Sequence, residues 1–319
     1  MSILITGGTG FIGSFLARSL LSTTDKELVL FDYAINRKRI MDIENNPRVQ
    51  IFQGDVSCWS ELISLFKKCD PIETIFHFGS IMPPITEEKL ETSFRVNIQG
   101  TFNILECSRY FSIPKIIYSS SGAIYGPGVS LPINEQSYRD PWTFYGVGKV
   151  CSEVLGTYYS HSQNINFTAL RLPALVGPGR TGSGMTIYSN NVIQYPAQGM
   201  KAICNVDPDV TIPILYIKDL TQVLKRILDD EKTQHNTYNI DGFWISAEEL
   251  VQIVQDEIPE ADILYEPDPQ LSFQLRSWSF LKGEDKLART ELKYEPQFAP
   301  EKFVKDFIKE VQVNPQFQI

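Results

Sequence analysis

The stretch MSILITGGTGFIGSF restricts the possible folds more than any other part of the chain. A short apolar run, Ile3-Leu4-Ile5, ends in four glycines within seven positions, Gly7, Gly8, Gly10 and Gly13, and a second apolar run follows. A plain turn between a strand and a helix needs one glycine or two. Four imply that something approaches this backbone closely. The spacing Gly8-x-Gly10-x-x-Gly13, after a strand and at the start of a helix, is the context of a dinucleotide-binding turn, and Gly7 adds a second frame. One glycine permits the tight turn, another admits a pyrophosphate to the backbone, and the last lets helix and strand pack. Phe11 and Ile12 carry the turn into the helix, whose free N–H groups and positive dipole end suit phosphates. A tight turn without ligand is the other reading of the glycines taken alone.

An acidic residue downstream favours the ligand. Asp32 ends the apolar run ELVLFD, where a carboxylate accepts from both hydroxyls of an adenosine ribose. A 2′-phosphate there meets a like charge, at a cost of about 4 kcal/mol for ~4 Å and an effective dielectric of ~20. NAD is favoured over NADP on that ground, although Arg37 and Lys38 stand near enough to serve a phosphate. Asp55, after the third strand-like run, reads equally as a partner for the adenine amino group and as a strand-end turn.

Strand-like and helix-like runs alternate through the first half. SILIT, ELVLFD, RVQIFQGD, ETIFHFG and PKIIYSSS read as strands; FIGSFLARSLL, WSELISLFKKC and one long segment from about Glu87 to Tyr110 read as helices. This alternation predicts a doubly wound parallel sheet, an α/β fold of Rossmann type. From Pro173 the pattern becomes irregular, and a smaller α/β lobe over the carboxyl ends of the strands is expected. The domains are read as 1–172 for the nucleotide, with returns near 210–240, and 173–319 mainly for the substrate. Ser246 and Glu249 form a capping box at a helix start, with Ile245 and Leu250 as its hydrophobic staple.

Composition excludes several classes. The chain has 319 residues, with 29 Lys+Arg against 38 Asp+Glu. A net charge of −9 repels polyanions, so nucleic acid is not expected as a partner. The five cysteines, Cys58, Cys69, Cys107, Cys151 and Cys204, form no CxxC pair and read as free thiols of a reducing compartment. The three histidines stand apart, and no metal site is expected. No apolar window of membrane-spanning length and no signal segment occurs, so a cytoplasmic protein is expected.

DPWTFYGVGKVCSEVL places Tyr145 and Lys149 four residues apart, on one face of a helix. A phenol has a pKa of ~10, so as a base near neutrality it needs lowering by about 3 units. A neighbouring ammonium and a positive nicotinamide would both do this. Lys149 also suits the nicotinamide ribose. In SSSGAIYG, at the end of the fifth strand, Ser121 can donate to a reacting oxygen; a turn serine is the alternative.

Together TGGTGFIG, SSSGAIYG and YGVGK resemble the extended short-chain dehydrogenase/reductases, the NAD-dependent epimerase/dehydratase superfamily. The resemblance implies an enzyme with NAD and a Ser121–Tyr145–Lys149 triad. It implies that Asn97, in FRVNIQGT, holds a relay water on a kinked helix. Phe78, Gly79 and Ser80 match the segment lining the cofactor, Asp55 and Val56 the adenine contact, and Leu172 the end of strand six beside the cofactor. A homodimer through a four-helix bundle is also implied.

Two substrate groups compete. Nucleotide-sugar 4-epimerases and dehydratases carry an asparagine after strand six and an Arg-x-Gly-Asp near the C-terminus; here strand six ends Leu170-Arg171-Leu172-Pro173-Ala174 and the later motif is absent. The alternative resemblance is to short-chain L-threonine 3-dehydrogenases and sugar-acid dehydrogenases, and a small polar hydroxy compound is expected. Ser80, Met82, Ser121, Gly122, Tyr145, Arg180 and Thr181 are the candidate substrate contacts. A protein that senses NAD without turnover is a third reading. The shape of the pocket between GPGRTGSG and Trp278 would separate these.

Overall fold

Ile3, Ile5, Leu28, Leu30, Phe76 and Ile117 enter one buried core, while Leu4, Val29, Ile75 and Ile116 enter another. Successive strand residues point to opposite faces, so two cores on one sheet make continuous apolar runs the expected pattern. The computed structural model describes all residues except Asp70, Pro127, Glu231 and 280–282. The side chains of Trp278 and Ser279 also lie outside the description, so the pocket edge expected at Trp278 does too.

Strands β1 (Ser2–Thr6), β2 (Glu27–Asp32), β3 (Val49–Gln53), β4 (Ile72–His77), β5 (Lys115–Ser121) and β6 (Asn166–Leu172) occupy the first half. After them come β7 (Ala174–Val176), β8 (Ala202–Cys204), β9 (Thr211–Tyr216), β10 (Thr237–Asn239), β11 (Phe243–Ser246) and β12 (Ile263–Tyr265). The central sheet has seven strands in the order β10-β6-β5-β4-β1-β2-β3, every neighbouring pair parallel. The chain leaves β1 toward β2 and β3, then returns on the other side of β1 as β4. Ligands of open α/β sheets bind at such a switch point, outside the carboxyl ends of the strands.

Smaller sheets β11-β9-β7 and β12-β8 serve the later part of the chain. The capping box forms: Ser246 accepts from the Glu249 N–H, and the Glu249 carboxylate accepts from the Ser246 N–H. Ile245 and Leu250 are both buried.

One expectation is corrected. The segment from Glu87 to Tyr110 is not one helix. Short turns Ile85–Glu88 and Leu90–Ser93 meet at Lys89 (φ −127°, ψ 69°), Phe94–Gln99 is π-helical, and only Gly100–Tyr110 is regular. Two contacts hold this shape. The Asn97 amide bonds the backbone of Ile81 through both its atoms, at 2.9 and 3.0 Å. Val56 packs onto Gly100 so tightly that a Cβ there would fall 2.7 Å from Val56 Cγ2.

Candidate functional site

The glycine turn lies at the carboxyl end of β1 and bends with Gly7 at φ +65°, a conformation that penalises a side chain. A Cβ on Gly8 would fall 2.8 Å from Leu30 Cα, and one on Gly13 would fall 2.3 Å from the Gly7 carbonyl oxygen. The close approach foreseen from the sequence is therefore partly the protein's own packing. Gly10 N-caps the helix Phe11–Thr23 with no side-chain cap and no acid in the first turn. That helix end keeps N–H donors for a ligand.

One continuous cleft of about 1400 Å³ runs from this turn across the strand ends. Asp32, Asp55, Val56, Phe78, Gly79 and Ser80 line it, as do Ser121, Gly122, Tyr145 and Leu172. Met82, Arg180 and Thr181 line it as well.

Asp32 is held in place by a residue that sequence reasoning overlooked. Its Oδ2 accepts from the Thr9 N–H at 3.0 Å and from the Thr9 hydroxyl at 2.8 Å. The nearby bases divide. Arg37 pairs with Glu44 at 2.9 Å, and Lys38 is exposed. Arg39, not singled out earlier, turns inward and donates to the Gly179 carbonyl at 2.7 Å and to Thr181 Oγ1 at 3.2 Å. The Thr181 hydroxyl thus already has a partner. Asp55 forms the strand-end turn, accepting from Ser57 N at 2.8 Å, and faces the cleft as well.

Tyr145 is buried in the first turn of the helix Phe144–Gln163. Thr143 caps that helix, accepting from Gly146 N at 3.0 Å. Glu87, also missed, adds its carboxylate, which accepts from Phe144 N at 2.9 Å and Tyr145 N at 3.2 Å. Burial pushes the Tyr145 phenol up to about 12, while the neighbouring Ser121 hydroxyl and the charge of Arg180 pull it down. Ser121 Oγ accepts from Ala123 N at 3.1 Å, which fixes it at the start of the turn after β5.

Lys149 does share the helix face, with Nζ 5.3 Å from the Tyr145 ring centre. That Nζ, however, donates to the Ser119 carbonyl at 2.6 Å and lies 4.6 Å from the Tyr118 ring centre. Burial pushes Lys149 itself down to about 7, against the pull of Glu153. Arg180, at the cleft wall and lowered by burial to about 10, also pulls the phenol down. At Asn97 both side-chain polar atoms are engaged by Ile81, and its backbone carbonyl accepts from Ser152 at 3.0 Å and Thr101 at 2.9 Å. Its structural role is to hold Ile81, a residue of the cleft wall.

Arg171 is buried in a bidentate pair with Glu153, at 3.0 and 2.8 Å. Such a pair, with both partners satisfied, fixes the end of β6. No helix among the described residues is long and apolar enough to cross a membrane.

The model of the NAD dependent epimerase/dehydratase family matches residues 3–241. Mitochondrial L-threonine 3-dehydrogenase of Bos taurus is 26% identical over 304 residues, covering 93% of this chain and 79% of its own. D-erythronate dehydrogenase of Cupriavidus necator is 26% identical over 267 residues, covering 80% of this chain and 81% of its own. A solved L-threonine 3-dehydrogenase from Trypanosoma brucei superposes with a TM-score of 0.87 at 23% identity, covering 99% of this chain and 98% of its own. That last likeness speaks for the fold.

Proposed function

The chain belongs to the NAD dependent epimerase/dehydratase family, and we propose that it is a dehydrogenase in which Tyr145 removes the hydroxyl proton of a small polar hydroxy compound. The observation that carries this reading is that Ser121 and the buried Tyr145, close enough for the serine to pull the phenol down, line the same cleft as the glycine turn. Residues 1–172, with the returning segments Ile217–Asp229 and β10, hold the nucleotide; residues 173–319 mainly serve the substrate.

The residues fit NAD. The uncapped helix start at Gly10 offers N–H donors to the pyrophosphate, and Asp32, steadied by Thr9, keeps Oδ1 for the ribose hydroxyls. When bound, NAD supplies the acceptor for the hydride leaving the alcohol carbon and, in its oxidised ring, a positive charge. Ser121 donates to the substrate oxygen as it becomes a carbonyl. Tyr145 Oη receives the proton. Arg180 places a positive charge on the same side of the phenol and on a substrate carboxylate. Lys149, anchored on Ser119, holds the helix face and the ribose. Ser80, Met82 and Gly122 complete the substrate wall, and Asn97 positions it through Ile81.

A homodimer is part of the reading. Leu90, Phe94 and Phe102 near one helix and Val154 and Tyr158 on the other are 42 to 61% exposed. Apolar side chains on two neighbouring helices suit pairing with a second copy into four helices. Five unpaired thiols fit the cytoplasm as location.

NADH formation over a panel of threonine, four-carbon hydroxy acids and nucleotide sugars tests the reading. It predicts NADH with threonine or the hydroxy acids. Interconversion of nucleotide sugars without net NADH would replace it with an epimerase.

A further inference from the structure

The floor of the cleft holds a donor with no partner. Strand β10 sets Asn239 beside Arg171 of β6, and β6 sets Arg171 beside Ser120, next to Ser121. Asn239 is 6% exposed and lines the cleft. Its Nδ2 is buried and makes no hydrogen bond. Buried amide groups without partners are rare, and each needs an explanation.

The other atom of the amide has a partner. Its Oδ1 accepts from the Tyr125 hydroxyl at 2.8 Å. The same hydroxyl oxygen accepts from Arg171 Nη1 at 2.7 Å, and Glu153 holds Arg171. A tyrosine has one proton. With a guanidinium donating to it, Tyr125 keeps that proton for an acceptor, either Asn239 Oδ1 at 2.8 Å or the Asn134 carbonyl at 3.1 Å, and Asn239 is the nearer. The chain Glu153–Arg171–Tyr125–Asn239 holds the amide by its Oδ1, and Nδ2 is left without a protein partner.

We propose that Asn239 Nδ2 binds a second hydroxyl of the substrate, which makes the substrate a polyhydroxylated carboxylic acid. The inference rests on the dehydrogenase reading for which end reacts. A carboxylate already has a cation in Arg180, so the acceptor left for a neutral amide is a neutral oxygen. Threonine ends in a methyl beyond its reacting hydroxyl. Against Asn239 that methyl leaves the donor unmade. A further hydroxyl accepts from it.

The test is calorimetric binding to protein saturated with NADH, in which a hydroxy acid cannot be oxidised. The probes are the four-carbon acid with three hydroxyls and its analogue lacking only the terminal one, each as its separate stereoisomers. The wild type binds the fuller acid about tenfold tighter, the cost of a buried donor left without its acceptor. In Asn239→Leu and Asn239→Ser that preference disappears. Equal binding of the two acids by the wild type overturns the proposal, and the amide then serves only a bound water. Binding of neither acid overturns it as well. A preference that survives in whichever variant folds, checked by its unfolding midpoint, also overturns it. Discrimination in binding without NADH formation from NAD defeats the dehydrogenase reading and leaves this contact standing.

Discussion

The ammonium of Lys149 donates to the Ser119 carbonyl at 2.6 Å, although Tyr145 lies one helical turn away on the same face. The lysine is tied to the strand below the phenol. Its buried charge is costly, and burial brings it down to about 7.

That cost gives stability a pH dependence. The unfolded lysine titrates near the ordinary lysine value of 10.5, the folded one at about 7. Between these values the unfolded chain holds more protons, so the contribution of Lys149 to stability rises with pH, by at most about 1.4 kcal/mol per pH unit. Denaturant unfolding of wild type and Lys149→Met at pH 7 and pH 9 checks it. The wild type gains relative to the variant; a constant difference contradicts the burial argument.

Asp32 sets the cofactor preference. The wild type uses NAD far better than NADP, because a 2′-phosphate meets the carboxylate that Thr9 holds in place. Asp32→Ala removes the repulsion and leaves Arg39 nearby. The ratio of kcat/KM for NADP over NAD then rises by at least about tenfold, a conservative share of ~4 kcal/mol. An unchanged ratio places the ribose elsewhere.

Glu87 closes the helix that carries the phenol, through the N–H groups of Phe144 and Tyr145. Glu87→Ala lowers stability by about 1 kcal/mol, as the loss of a helix cap does. It lowers kcat more than it raises KM for NAD, since it loosens Tyr145 and not the glycine turn. Glu87→Gln, which keeps an acceptor, recovers part of both. Equal activity in all three proteins shows that the cap does not steady the phenol.

The exposed apolar side chains of the two neighbouring helices predict the oligomer. Sedimentation of the wild type gives a dimer. Phe102→Arg and Val154→Arg each shift it toward monomer, because a charge is buried without a partner. A monomeric wild type removes the dimer from the account.

Much of the fold was legible because its signals are local. A strand buried on both faces is a continuous apolar run, and β1, β2, β4 and β5 come near to it, while the edge strand β3 is half exposed. Gly7 announces its φ through its residue type alone. The broken segment before Gly100 was legible only through the resemblance, which implied a kinked helix at Asn97: the residues themselves favour a helix, and the break comes from Asn97 reaching Ile81 and from Val56 on Gly100. Thr9, Glu87 and Asn239 were missed for a related reason. Each acts on a partner distant in sequence, Thr9 on Asp32, Glu87 on Tyr145 and Asn239 on Tyr125. The four-residue spacing gave the shared face of Tyr145 and Lys149, but not the Ser119 carbonyl that takes the ammonium.

The central claim is that the Tyr145 phenol carries the proton. Steady-state turnover of Tyr145→Phe, with NAD binding measured in parallel, tests it directly. The account predicts a kcat lower by about 10²–10⁴, the usual worth of a positioned acid–base group, with NAD affinity retained. A variant that keeps NAD affinity and turns over within a few-fold of the wild type contradicts it.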